Sequence, residues 1–382
     1  MLNFEYWNPV KMIFGKGQIA KLSAEIPKNR RILMIYGGGS IKKNEVYDQV
    51  KTALKDYTVL EFGGIEPNPH YETLMKAVEM VKAEKIDFLL AVGGGSVLDG
   101  TKFIAMGACC EGDPWDIWTR KTSMNQAISL ASVLTLPATG SEMNCGSVVT
   151  KFETREKLGF VHPLLFPQFS ILDPETTYSL PPQQTANGII DAFVHVVEQY
   201  ITPEVNSPLQ DRIAEGILLT LIEEGPKALQ DPTNYDVRAN IMWCATMALN
   251  GVFNVGMPED WEMHLIGHEL TAKFNLDHGV TLAIVLPALW HKRKELKRKK
   301  LLKYAERVWG IHKGDAGIDK AIEKTREFFE SLGVKTYLSD YDIDKSVIPE
   351  LADRLMRHKN SMMQNRDEVT LESTKIILED CI

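Results

Sequence analysis

The run FLLAVGGGSVLDGTKFIAMGA, residues 88–108, decides the fold. Its first residues, 88–92, are apolar, too short for a buried helix, and run straight into Gly93-Gly94-Gly95-Ser96. Residues 97–108 then take up helical periodicity. This is a strand, a glycine turn and a helix, and the same grammar occurs upstream. Arg31–Tyr36 (RILMIY) enters Gly37-Gly38-Gly39-Ser40, with a helical pattern over residues 45–55. A glycine turn lets backbone N–H groups approach a ligand closely, and the helix start behind it favours negative charge. Two such junctions, each at the C-terminal end of a strand, predict a cradle for a nucleotide pyrophosphate. Neither spells GxGxxG, so the ordinary dinucleotide fingerprint is not what is matched.

The intervening and following segments fit one sheet. Thr58–Phe62 predicts a strand, Glu66-Pro67-Asn68-Pro69 an extended turn, and residues 71–84 a helix. Residues 130–139 predict a strand ending in Pro137-Ala138-Thr139-Gly140-Ser141-Glu142, whose small hydroxyls suit a phosphate or nicotinamide pocket. Residues 148–152 and 157–161 predict a hairpin from which Lys157 projects, and residues 170–173 one more strand. Alternating strands and helices of this size argue for a parallel sheet covered by helices. Leu180-Pro181-Pro182 punctuates the chain, and the expected boundary falls there, with an α/β dinucleotide-binding domain over 1–182 and a helical metal-binding domain over 183–382.

From Gln183 onward the pattern is almost entirely helical, with candidates at 208–229, 235–251, 261–274, 280–290, 299–309, 318–332 and 347–357. The chemistry sits in ANGIIDAFVHVVEQY, residues 186–200. Asp191 and His195 are four residues apart and leave the same helical face, among Ile190, Phe193, Val194 and Val197. An acid and an imidazole in an apolar wall are costly without a partner, and a metal ion is one such partner. A hydrogen-bonded Asp–His pair joining two helices is the plainer reading. His264 and His268 repeat the four-residue spacing, and His278 follows in Asp277-His278-Gly279. One carboxylate and four imidazoles exceed what a divalent site with an open position needs, and spacing does not say which histidine is left over. His70, His162, His291, His312 and His358 read as background. No HExxH occurs, which excludes that metalloprotease chemistry.

Composition sets the class. The 382 residues are 44% hydrophobic and 25% charged, ordinary for globular domains, with net charge -8. The sequence pI near 5.7 disfavours nucleic acid and anionic membranes as partners. The basic run KRKELKRKK, residues 292–300, lacks interleaved aromatics and reads as a solvated surface. The N-terminus has neither a basic nor an apolar signal region, so no secretory signal is expected, and nothing in the chain approaches eighteen uninterrupted apolar residues, so no membrane span is expected. Five cysteines without CxxC suggest a reduced, cytoplasmic protein without a disulfide framework. Beside the first glycine turn stand Gly39, Ser40, Lys42 and Lys43 rather than an acid. A hydroxyl and cations suit a 2′-phosphate, so NADP(H) is expected over NAD(H).

With these residues assembled, the chain resembles the iron-dependent (group III) alcohol dehydrogenase family, and most of all its branch of NADPH-dependent aldehyde reductases and butanol dehydrogenases. The resemblance runs through FGKG at Phe14, GGGS at Gly37, PNP at Pro67, GGGSVLDGTK at Gly93, ATGSE at Ala138, DAFVHVVEQY at Asp191, DVRANIMWCATMALNG at Asp236 and HLIGHELTAKFNLDHGVTLAIVLPALW at His264. It implies a Rossmann-like α/β domain followed by an all-helical domain, the dehydroquinate synthase-like plan, with substrate between them. It implies metal ligands Asp191, His195, His264 and His278, with His268 a non-ligand near the nicotinamide and a proton relay. Cofactor contacts fall on Gly38, Gly39 and Ser40 at the adenosine end. They fall on Asn68, Gly94, Gly95, Ser96 and Asp99 at the pyrophosphate, and on Thr135, Thr139 and Lys157 near the nicotinamide. Zinc or iron would suit one carboxylate and three imidazoles. The implied activity is reversible reduction of small aldehydes to primary alcohols, in a homodimer. Trp261 and Phe253 are expected to give the pocket an apolar wall. Glycerol-type polyol oxidation and a dehydroquinate synthase-like lyase are the alternatives. The lyase needs basic groups for a phosphorylated acid, and none cluster near the histidines.

Overall fold

The computed structural model describes residues 1–358 and 369–382, with only the side chain of His358 left out at the edge. Among the described residues eight strands occur in chain order: β1 (Lys11–Phe14), β2 (Arg31–Tyr36), β3 (Thr58–Phe62), β4 (Phe88–Gly94), β5 (Ser129–Leu136), β6 (Gly146–Lys151), β7 (Glu156–Val161) and β8 (Phe169–Leu172). The helices up to residue 118 are α1 (Leu22–Glu25), α2 (Val46–Ala53), α3 (Tyr71–Ala83), α4 (Gly95–Gly107) and α5 (Trp115–Trp118). From residue 182 the described elements are helical: α6 (Pro182–Tyr200), α7 (Pro208–Gln230), α8 (Tyr235–Ala248), α9 (Glu262–Phe274), α10 (His278–Lys292), α11 (Lys294–Arg307), α12 (Gly314–Ser331), α13 (Ile348–His358) and α14 (Leu371–Asp380).

The described chain falls into two compact units. One comprises Trp7–Leu180 and Pro232–Thr246, the other Met1–Tyr6, Pro181–Asp231 and Met247–Ile382. In the first, six parallel strands run in the order β1-β8-β5-β4-β2-β3, and β6 and β7 form the expected antiparallel hairpin. Period-2 alternation sorts the sheet's side chains. Leu33, Ile35, Leu89, Ala91, Leu130 and Leu134 pack on one face with residues of α3 and α4. Ile32, Met34, Leu90, Val92, Ala131 and Val133 pack on the other with residues of α1 and α2. Both faces are covered, so the central strands read as continuous apolar runs rather than alternating ones.

In the second unit α6 is the central element. From Thr185 to Tyr200 only Asn187 escapes full burial, because α7, α9 and α10 all pack against this helix. A helix buried all round must satisfy each polar group it carries. No disulfide joins the cysteines, and no described helix is long and apolar enough to cross a membrane.

Candidate metal centre and nucleotide loops

The polar groups of α6 meet the histidines of α9 and α10. The Nε2 atoms of His195 and His264 each lie 3.6 Å from Asp191 Oδ1, and His278 Nε2 lies 3.8 Å from the same oxygen. Donor atoms of Asp191, His195 and His264 are all within 4.8 Å of one another. These separations are too long for hydrogen bonds. They match the edge of a tetrahedron whose centre lies about 2.0–2.1 Å from nitrogen and oxygen donors, roughly 3.4 Å. Asp191 Oδ1 and His264 Nε2 are buried and have no hydrogen-bond partner among the described residues. A buried carboxylate oxygen in that state is costly, and a cation at the centre of the set removes the cost. The donor set therefore fits a divalent metal.

The surroundings orient the set. His264 Nδ1 is hydrogen-bonded to Glu198, which leaves Nε2 facing Asp191. Glu198 Oε1 also accepts the backbone N–H groups of Met263 (2.6 Å) and His264 (3.2 Å), capping the start of α9. Burial alone would pull the His264 imidazole down, but Glu198 and Asp191 outweigh it and push its pKa up to about 9. Burial would likewise raise Asp191, and the imidazoles of His195, His264 and His278 hold it well below the usual carboxylate range. His268 is buried one turn beyond His264, its ring 5.2 Å from that of His278 and 6.2 Å from that of His264. Neither His268 nor His278 belongs to the three-donor cluster of Asp191, His195 and His264, although His278 Nε2 comes within 3.8 Å of Asp191 Oδ1. Trp261 presents its ring edge-on to His195 and His264, at 6.2 and 5.5 Å. Phe253 is fully buried.

Sequence reasoning passed over Glu198, although it sits three residues after His195 on the face already under scrutiny. It also read residues 292–300 as solvated. That is corrected for three of them: Arg293, Lys297 and Lys300 are buried and ion-paired, because their spacing of four and three puts them on the inner face of α11 and its cap.

The nucleotide candidates lie in the sheet-bearing unit. β2 and β4 are neighbours, and their last pair is Tyr36 with Val92. The chain therefore leaves β2 at Gly37 and β4 after Gly94 side by side, at the sheet's C-terminal edge. β3 lies on one side of β2 and β4 on the other, so the winding direction reverses there. That reversal is where open α/β sheets bind ligands. Gly39 has φ 92°, which an L side chain rarely adopts, and a Cβ at Gly38 or Gly39 would meet only open space. At the second turn, a Cβ on Gly95 would overlap the Thr139 side chain, so only glycine lets the start of α4 come this close. Among the described residues the first turn of α4 has no side-chain cap and no acid, so its N–H groups suit an anion.

The remaining candidates are gathered around this turn. The Asn68 N–H donates to Ser96 Oγ at 3.2 Å, and Lys157 Nζ donates to Asn68 Oδ1 at 2.9 Å. Asp99 is buried and engaged by the protein. Oδ1 accepts from Ser141 Oγ at 2.6 Å, and Oδ2 from the Val148 N–H at 3.0 Å. Thr139 Oγ1 accepts the Ser141 N–H at 3.2 Å, and Thr135 is buried on β5. Lys42 Nζ lies over the Tyr36 ring at 4.8 Å and the Tyr47 ring at 5.0 Å. An unanticipated acid, Glu61, is 3.9 Å from it. Glu61 already accepts from Tyr47 Oη at 2.7 Å and Lys51 Nζ at 3.1 Å.

The sheet-bearing unit thus carries twin glycine turns at its switch point, and the helical unit carries one buried carboxylate among imidazoles. Residues 9–174 match the family described as iron-containing alcohol dehydrogenase, and residues 185–382 match the C-terminal part of the Fe-containing alcohol dehydrogenase family. The chain belongs to the iron-containing alcohol dehydrogenase family and is an oxidoreductase. It is 56% identical to the NADPH-dependent aldehyde reductase YqhD of Escherichia coli K12 over 99% of each chain. It is 44% identical to the probable NADH-dependent butanol dehydrogenase 1 of Bacillus subtilis 168, over 93% of this chain and 94% of that one. The solved NADH-dependent butanol dehydrogenase A of Thermotoga maritima matches with TM-score 0.96 at 36% identity, covering 100% of this chain and 99% of that one.

Proposed function

We propose that the protein is an NADPH-dependent, metal-dependent aldehyde reductase that interconverts small aldehydes and primary alcohols. One observation carries the metal part: three imidazole Nε2 atoms lie within 3.8 Å of a buried Asp191 oxygen that has no hydrogen-bond partner among the described residues. Asp191, His195, His264 and His278 would hold the ion, zinc or iron. The sheet-bearing unit would hold the nucleotide on Gly38, Gly39 and Ser40, then Asn68, Gly94, Gly95, Ser96 and Asp99, with Thr135, Thr139 and Lys157 toward the nicotinamide. When bound, the cation supplies a Lewis acid for the carbonyl oxygen and the nicotinamide supplies the hydride.

The protein's own groups do the rest. Glu198 fixes the tautomer of His264 so that Nε2 faces the donor set. His268 is the group that hands a proton to the product oxygen. Trp261, edge-on to two of the imidazoles, gives the site an apolar wall that favours aliphatic or aromatic aldehydes over polyols. The preference for NADPH rests on Ser40 and Lys42. One acid close to Lys42, Glu61, is occupied by Tyr47, Lys51 and Lys42, and stays ionised below the usual range: burial pushes its pKa up, but Tyr47 and Lys51 prevail.

The test is a panel of butanal, benzaldehyde and glycerol assayed with NADPH and NADH, on protein whose metal content has been measured. Stoichiometric NADPH loss with the aldehydes, absent after metal removal, is the expected result. Turnover that survives complete metal removal would sink the metal reading, and faster turnover with NADH would sink the cofactor preference.

A further inference from the structure

We propose that Lys297 and Arg293 are positioning residues for the metal centre, locking the start of α9, and with it His264, onto α6 and α10. This rests on the metal reading given above. Lys297 Nζ donates to the carbonyl of Ile201 at 3.0 Å, the residue that closes α6, and to Asp260 Oδ2. Asp260 Oδ1 in turn accepts the N–H of Glu262 at 3.2 Å, the first residue of α9. Arg293 follows the last residue of α10, and its backbone N–H still donates to Leu289 O at 2.8 Å. Its guanidinium grips Glu262 with two bonds, Nε to Oε2 at 3.0 Å and Nη2 to Oε1 at 2.7 Å. Nη2 also donates to Ser373 Oγ on α14 at 3.3 Å.

The three helices tied together here are the three that carry the proposed ligands. α6 brings Asp191 and His195, α9 brings His264, and α10 brings His278. The grip falls on residues 260 and 262, within the turn that carries His264. The same turn is capped from the other side by Glu198. Side chains of Arg293 and Glu262 are 9% and 5% exposed, so the pair is desolvated. Desolvated ion pairs add little stability over apolar residues of similar volume, whereas a planar two-bond contact fixes direction as well as distance. A fixed approach is what a ligand-bearing turn requires.

The chain supplies its own control. Lys300, one turn further along α11, is buried more deeply still and pairs with Asp211 on α7. It also lies over the Tyr200 ring at 4.9 Å, but it makes no bond to the start of α9.

The experiment uses the full chain stripped of metal, titrated with Zn2+ against a chromophoric chelator, with unfolding temperatures taken with and without Zn2+. Lys297→Met and the near-isosteric Asp260→Asn are expected to weaken Zn2+ binding up to about 10-fold, the low end of what loss of a ligand's direct partner costs, because both act on His264 through the turn rather than by touching it. Both should also shrink the rise in unfolding temperature that Zn2+ produces. Lys297→Arg should restore most of the affinity. Lys300→Met should lower the unfolding temperature of the metal-free protein while leaving Zn2+ affinity at the wild-type value. Wild-type affinity in both Lys297→Met and Asp260→Asn overturns the proposal, as does equal weakening by Lys300→Met. A wild-type chain that binds no Zn2+ overturns instead the metal reading on which it rests.

Discussion

Asp191 is the one residue every proposed ligand distance shares. Its Oδ1 is the hub of three imidazole separations, and it is the only carboxylate in the set. Asp191→Asn keeps the shape and removes the charge, leaving three neutral imidazoles to hold a dication. We expect metal content near zero and turnover lowered more than ~100-fold, beyond what loss of an outer-shell partner costs. Elemental analysis beside kinetics checks this; a variant that keeps stoichiometric metal would show that Asp191 is not a ligand. At this scale the sequence carried most of the candidate site. Residues four apart on a helix announce a shared face, so Asp191 with His195 and His264 with His268 were visible. Glu198 lies seven residues from Asp191 on that same face but resembles any helical glutamate until its partner is known. Glu61 was invisible because its neighbours, Tyr36, Tyr47 and Lys51, meet it only across strands and helix.

Elements show what glycine turns demand of the chain behind them. α4 can begin against Thr139 only because Gly95 lacks a Cβ, and the loop beyond Thr139 is held by a buried lysine. Lys102 Nζ donates to Ser141 Oγ (2.8 Å), Asn144 O (2.9 Å), Asn144 Oδ1 (3.1 Å) and Gly146 O (2.8 Å). Burial lowers its pKa to about 8, against the attraction of Asp99. The sign follows from linkage. Between about pH 8 and 10.5 the unfolded chain binds this proton more than the folded one does, so stability gains a positive slope with pH there. Lys102→Met lacks that slope. Denaturant unfolding of both proteins across this range should show the wild-type advantage widening as pH rises; a gap that stays level or narrows would contradict the assignment. The same elements show where pattern reading reached. Central strands and long helices were legible because burial on both faces, or on a stripe, writes itself into apolar periodicity. β1 was not, since only Ile13 of Lys11–Phe14 is buried at this sheet edge. Nor was the role of residues 292–300, because a charge paired inside and a charge in water look alike in a sequence.

For the whole molecule, the proposed division of labour between units predicts that metal and nucleotide binding are separable. Every proposed nucleotide contact belongs to the unit formed by Trp7–Leu180 and Pro232–Thr246, and every proposed ligand to the other. The fold class was legible because each unit repeats one pattern along its length, strand–turn–helix in the first and helix after helix in the second. Removing the proposed metal would alter only the surroundings of Asp191 and its imidazoles in the helical unit, leaving the glycine turns, the start of α4 and Lys102 untouched. NADPH should therefore still bind metal-free protein, with an affinity within a few-fold of the loaded enzyme. At NADPH a hundredfold above its dissociation constant, linkage adds about 2.7 kcal/mol to whatever unfolds with the nucleotide site. The metal-free chain should accordingly melt at higher temperature with NADPH than without, although it turns over no aldehyde. Calorimetric scans with and without NADPH, before and after chelation, read this directly. Loss of the NADPH-induced rise upon chelation would mean that the nucleotide site depends on the metal, and that the two units do not hold their ligands independently.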